Sequence, residues 1–140
     1  MARPPKQYRY LDHTADLGIE VGGKTISKLL ENVGRAIFET QIRGNIQANE
    51  ERSIRLKSDS MEDLFIDWCR ELLYNFAVHA FIPCDYDISV EDLSIHAHLR
   101  GDTFDAARHH VRIEIKNPTY HALKVEKNEQ GFLARIIFDV

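Results

Sequence analysis

Residues 11–21 read LDHTADLGIEV and place Asp12, His13 and Asp16 within five positions, between apolar neighbours. Clustered aspartates offer the hard carboxylate oxygens that Ca²⁺ or Mg²⁺ prefers. His13 adds a group able to carry a proton near neutral pH. The spacing is not that of an EF-hand loop, because the regular acidic positions and the distal glutamate are missing. Asp and Thr also build capped turns, by bonding nearby backbone N–H groups. The segment alone therefore supports two readings, a cation site and a polar turn.

A second group of oxygens stands at the other end of the sequence. In FLARIIFDV, Phe132, Ala134, Ile136 and Phe138 alternate with Leu133, Arg135, Ile137 and Asp139, the period of a strand. A strand this apolar is expected to be tied into the sheet up to its end. If the fold set it beside Asp16, the Asp139 side chain and the α-carboxylate of Val140 would come within reach of one cation. The bland alternative is an exposed polar terminus.

Other constellations carry less. His96 and His98 share one strand face, His109 and His110 open another strand, and His121 follows Tyr120. Alternate histidines can chelate zinc, but they also mark solvated strand faces. His13 or His121 could move a proton. Asp67 and Glu71 sit one helical turn apart, a mildly repulsive pair that Arg70 can offset. No GxSxG elbow and no P-loop is present.

These residues need elements to position them. YRYL and LGIEV read as short strands around the acidic segment, with a turn at GGK. Ile26, Leu29, Leu30, Val33 and Ile37 recur at helical spacing behind Thr25, a good N-cap, and that helix runs to about Gln41. SIRLKSD alternates as a strand. Ser60 followed by Asp63 resembles a capping box for a second helix, which carries Met61, Leu64, Phe65, Trp68, Leu72 and Phe76 on one face; Pro83 is expected to stop its pattern. DISVEDLSIHAHLRG, HHVRIEIKN, TYHALKVEK and FLARIIFDV read as strands, the last two joined by a hairpin at NEQG. Two early helices and a late run of strands imply an α+β domain, both helices packed on one face of a mainly antiparallel sheet. Residues 1–7 read as a loose tail and 8–140 as the domain.

Composition bounds the function. The 140 residues fit one domain, and 44% of them are apolar, enough for a core. The net charge is −4, which argues against gripping nucleic acid by charge alone. The best basic candidate, Arg108 to Lys116, is mixed with Glu114 and preceded by Asp105. Cys69 and Cys84 form no CxxC pair; Cys69, inside a helical pattern, reads as a buried small hydrophobe, and a reducing cytoplasm is the simplest compartment. The N-terminus lacks the apolar stretch of a signal peptide, and no run is long enough to span a bilayer.

Three segments then line up in order: DHTADLGIEV, DLFIDWCRELLYNF, and IKNPTYHALKV with the final FDV. Together they resemble the archease family, the protein cofactors of the RtcB-type tRNA-splicing ligase, from Tyr10 to Val140. The resemblance implies an α+β fold and no turnover of its own. It implies a role in accelerating the ligase's GTP-dependent guanylylation and sustaining repeated rounds of RNA joining, with tRNA met only through the ligase. It implies a divalent cation, calcium before Mg²⁺ or Mn²⁺, held by Asp16, Asp139 and a main-chain or terminal oxygen of Val140. His13, Asp67, His121 and Lys124 lie in the matching motifs and become candidates for acting on the ligase.

Three positions depart from the family pattern. Asp12 stands where glutamate is usual, Cys69 where leucine is common, and Pro118 where an apolar non-proline residue is familiar. Proline removes a ladder donor, so Pro118 predicts an edge or a bulge. None of these departures removes a proposed cation ligand. Two other functional classes compete: a small metal-dependent hydrolase using His13 or His121 as base, and a chaperone-like interaction module.

Overall fold

The computed structural model describes residues 7–11 and 16–140. Tyr8–Leu11 (β1) and Leu17–Gly23 (β2) pair antiparallel, with Tyr8 opposite Val21 and Leu11 opposite Gly18. Strand β2 continues through both glycines, so the turn expected at GGK falls later, at Lys24 and Thr25. Close packing explains why Gly23 is needed: a Cβ there would stand 2.5 Å from the Leu29 nitrogen. Thr25 caps α1 (Ile26–Gln41), its hydroxyl accepting from the Lys28 N–H at 3.1 Å.

Ile42–Gly44 (β3) and Glu50–Lys57 (β4) lead to α2, Met61–His79. Ser60 caps α2 by accepting from the Asp63 N–H at 3.1 Å. The helix ends at Ala80, which adopts the left-handed conformation (φ 56°) and donates to the Phe76 carbonyl. Pro83 therefore does not stop the helix, as its ring suggested. It lies inside β5 (Phe81–Glu91), where the pairing shifts register before Asp85 and a missing N–H is tolerated.

Ser94–Thr103 (β6), His109–Val111 (β7), Asn117–Asn128 (β8) and Gly131–Asp139 (β9) complete the chain. All described pairings are antiparallel, in three sheets: β1-β2-β9-β8, β3-β7 and β4-β6-β5. The expected fold class holds, with the strands divided between sheets rather than gathered in one. HHVRIEIKN yields only the short β7. The backbone donors beyond it go elsewhere: Arg112 N–H to the Gln41 carbonyl (2.7 Å), Ile115 N–H to Gln41 Oε1 (3.0 Å) and Lys116 N–H to the Asp139 carbonyl (2.8 Å). Alternation of residue types alone could not reveal those partners.

The two helices join the sheets. Helix α1 packs on β2 and β5, and α2 on β8 and β4. Inward residues of β6 (Ile95, Ala97, Leu99) and β9 (Ala134, Ile136, Phe138) are buried, while His96, His98, Arg100 and Arg135 face water. Trp68 is fully buried between the helices and donates its indole N–H to the Leu30 carbonyl at 2.9 Å. Cys69 beside it is a core residue, as its place in the helical pattern indicated, and burial pushes its thiol pKa well up. No helix among the described residues is long and apolar enough to cross a membrane.

Candidate metal centre

The register of β2 against β9 decides where the two distant oxygens meet. Leu17 lies opposite Phe138, Ile19 opposite Ile136 and Glu20 opposite Arg135. The pairing ends at Leu17 and Phe138; continued by one residue, the same register would set Asp16 opposite Asp139. Directly opposed residues of an antiparallel pair have Cα atoms roughly 4.5–5.5 Å apart and point to the same face. Strand alternation carried to these positions would give Asp16 and Asp139 the face of the Glu20–Arg135 ion pair (2.6 Å). Arg9 reaches Glu20 from the other side at 2.7 Å, and this guanidinium, with Arg135, holds the Glu20 carboxyl below its ordinary pKa.

The β9 end is fixed from its far side by the Lys116 N–H on the Asp139 carbonyl, and Asn117 pairs with Asp139. Asp139 and Val140 are exposed, so a cation there could complete its shell with water. The donors are oxygens only, which suits a hard divalent ion and not a thiophilic one. Among the described residues, no three His, Cys, Asp or Glu side chains gather as a metal cage. A bound ion would therefore draw its remaining ligands from main-chain oxygen, water or a partner.

The other candidates fall at varying distances from this end. Asp12 and His13 lie outside the described residues. His121 is exposed, on β8, four residues past Asn117. Asp67 accepts from the Ser58 hydroxyl at 2.7 Å and from Arg70 at 3.3 Å, the offset that the sequence suggested. Lys124 pairs in register with Arg135, four residues or about 13 Å back along β9 from Asp139. Its ammonium contacts Glu126 at 3.4 Å. The fold thus sets Asp16 and Asp139 at the same end of the β2–β9 pair, just beyond Leu17 and Phe138, and Lys124 apart from them.

A dense polar cluster that no sequence motif marks surrounds Asp102. Asp102 is buried and accepts from both terminal guanidinium nitrogens of Arg108 (2.9 and 3.2 Å), from the Gln47 N–H (3.0 Å) and from the Thr103 N–H (2.9 Å). The Arg108 guanidinium and these N–H groups hold its carboxyl well below the usual carboxylate range, against the opposing effect of burial. His109 is buried alongside. Its Nδ1 accepts from the Asp105 N–H (2.9 Å), which leaves the proton on Nε2, directed at the Asn45 carbonyl (2.9 Å). Arg108 is thus paired with both Asp102 and Asp105, which offset its charge at the start of the best basic segment. Acidic residues six and three positions before Arg108 were the available signal. His96 and His98 stay on a solvated strand face, where His98 meets Ser53 and Glu51.

A chain of two helices on antiparallel sheets is a small α+β protein. The model of the Archease protein family matches residues 8–140, and this chain belongs to that family. It is 36% identical over 146 residues to the protein archease of Methanosarcina barkeri, covering 100% of both chains. It is 31% identical to that of Archaeoglobus fulgidus, over 96% of this chain and 99% of the relative. The solution structure of Methanobacterium thermoautotrophicum protein 1598 is similar with a TM-score of 0.81 and 25% identity, over 97% of this chain and 100% of that one. The crystal structure of a Thermotoga maritima archease, described as a possible chaperone, has a TM-score of 0.66 at 24% identity, over 100% and 98% of the two chains.

Proposed function

We propose that this protein activates an RtcB-type tRNA-splicing ligase. It accelerates the ligase's GTP-dependent guanylylation and allows repeated rounds of RNA joining, without turnover of its own. The observation that supports this reading is the antiparallel pairing of β2 with β9, which ends at Leu17 and Phe138, the neighbours of Asp16 and Asp139, in a chain matched to the archease family over residues 8–140. Asp16, Asp139 and a main-chain or terminal oxygen of Val140 would hold the divalent cation, Ca²⁺ in preference to Mg²⁺ or Mn²⁺. When bound, that ion supplies concentrated positive charge at an exposed strand end. The carboxylates orient that charge outward, toward the nucleotide pocket of the ligase. His13, Asp67, His121 and Lys124 contribute contacts to the ligase. Association with tRNA runs through the ligase, and the free thiols of Cys69 and Cys84 suit work in the cytoplasm.

A second reading has one observation in its favour. A groove of about 450 Å³ opens between α2 and residues 111–117, lined by Leu73, Tyr74, Phe76 and Ile115 among others. Tyr74, Val111 and Ile113 are exposed at or beside it. Such apolar surface suits a chaperone-like module. One experiment separates the readings: covalent GMP transfer to a purified RtcB-type ligase, with and without this protein, run beside phosphate release by the protein alone and an aggregation-suppression assay. Activation predicts faster GMP transfer, no phosphate release and no protection of unfolded clients. A ligase that turns over equally well alone overturns the proposal.

A further inference from the structure

Strand β8 leaves regular pairing in the middle. Thr119 lies opposite Ile137 and the next pair is Lys124 with Arg135, so residues 120–123 stand against the single residue Ile136. A β-bulge usually adds one residue, and this one adds three. Within it Ala122 takes a positive φ of 54°, which a side chain adopts only when its surroundings impose it. One imposing contact is visible. Tyr120, about half exposed, donates its hydroxyl to Asp63 Oδ1 at 2.6 Å. Asp63 is in the first turn of α2, where its N–H already serves the Ser60 cap. Its carboxylate is therefore directed across to the bulge. With so much of the ring in water, this bond more than burial sets where Tyr120 stands.

We propose that Tyr120 is a positioning residue. Its bond to Asp63 straps the bulge of β8 to α2 and so fixes His121, the next residue, relative to the strand end that carries Asp139. The consequence for activity rests on the ligase-activating reading above. The strap also ties the bulge to the helical face of Asp67, one turn after Asp63, so two separate candidates share one rigid support. Tyr120 need touch neither cation nor ligase to matter.

The test compares Tyr120→Phe, Asp63→Ala and Asp63→Asn in the full chain. Asparagine keeps an acceptor oxygen, so Asp63→Asn should behave as wild type, while the other two should not. Amide hydrogen exchange across residues 119–124 reads the strap without any ligase. Loss of a side-chain hydrogen bond should speed it about tenfold, with thermal melting within about 2 °C of wild type because the ring is half exposed. Ligase guanylylation at saturating protein reads the consequence, and a fall of about fivefold is expected for Tyr120→Phe and Asp63→Ala. Unchanged exchange in both overturns the strap. Faster exchange with full stimulation overturns the positioning role. Loss in Asp63→Asn equal to that in Asp63→Ala assigns the effect to charge and overturns the proposal. If wild type itself fails to stimulate, the functional reading falls and exchange alone decides the strap.

Discussion

Replacing Asp102 by asparagine should destabilise the fold by about 2 kcal/mol at neutral pH, a magnitude that follows from its hydrogen bonds. The side chain is 3% exposed and meets four donors. Asparagine keeps one acceptor oxygen, which can still serve the Thr103 N–H. Its amide NH₂ would then face the Gln47 N–H and Arg108 Nη1, donor against donor. Arg108 is 38% exposed and can turn to water, which holds the cost below that of a sealed ion pair. Urea unfolding followed by fluorescence of the single, buried Trp68 reads the change, a midpoint lower by roughly 1 M. The pH dependence gives a second check. The Asp102 carboxyl is lowered in the folded state, so its contribution is complete above the unfolded value of about 3.9 and is lost as pH falls through the lower folded value. The gap between wild type and Asp102→Asn should thus hold steady from pH 7 to 5 and narrow below about pH 4. A gap under about 0.5 kcal/mol at pH 7, or one that widens on acidification, would refute the reasoning.

Further outcomes follow from the same structure. Asp16→Asn and Asp139→Asn should each weaken Ca²⁺ binding at least about tenfold by calorimetry, with the double variant little worse than either, because opposed ligands of one ion act together. Gly131→Ala should cost about 2 kcal/mol or more in chemical denaturation, since Gly131 has φ 132° and a Cβ there would stand 2.4 Å from the Gly23 carbonyl oxygen. Of the two cysteines, Cys69 should resist a thiol reagent in the native protein and react only on unfolding, while the partly exposed Cys84 reacts slowly in the folded state.

Local pattern served best where local forces decide. Thr25 and Ser60 caps, the two helix faces, the strand of SIRLKSD and the NEQG hairpin are set by neighbours within a few residues, and their structures follow the sequence pattern closely. Pro118 sits on the edge strand of its sheet, just before the bulge, as a residue without an N–H must. The failures share a cause. Residues 112–116 have the alternation of a strand, yet their donors are taken by Gln41 and Asp139, which lie far along the chain. Pro83 looked like a helix stop because proline breaks helices, but Ala80 had already ended the helix.

The site shows the same division. Neither Asp16 nor Asp139 announces itself in its own segment; the pairing of β2 with β9 carries both to one end of the sheet, and pairing across more than a hundred residues has no local signature. The Asp102, Arg108 and His109 cluster was hidden for a related reason. Its charges are ordinary surface residues by composition, and only folding gathers the 45–47 loop, the end of β6 and the 105–108 turn around one buried carboxylate. Asp63 gave half its signal, the cap, while its bond to Tyr120 depends on a bulge with no sequence pattern of its own.

The proposed activation depends on Asp16 and Asp139 acting through a bound cation on a ligase. The most direct measurement is the rate of GMP transfer to a purified RtcB-type ligase as a function of added Ca²⁺, with wild-type protein and with Asp139→Asn. Wild type is expected to stimulate with a saturating dependence on Ca²⁺, and Asp139→Asn to need at least about tenfold more of it or to stimulate little at all. Equal stimulation by both proteins at every Ca²⁺ concentration, including none, would contradict it.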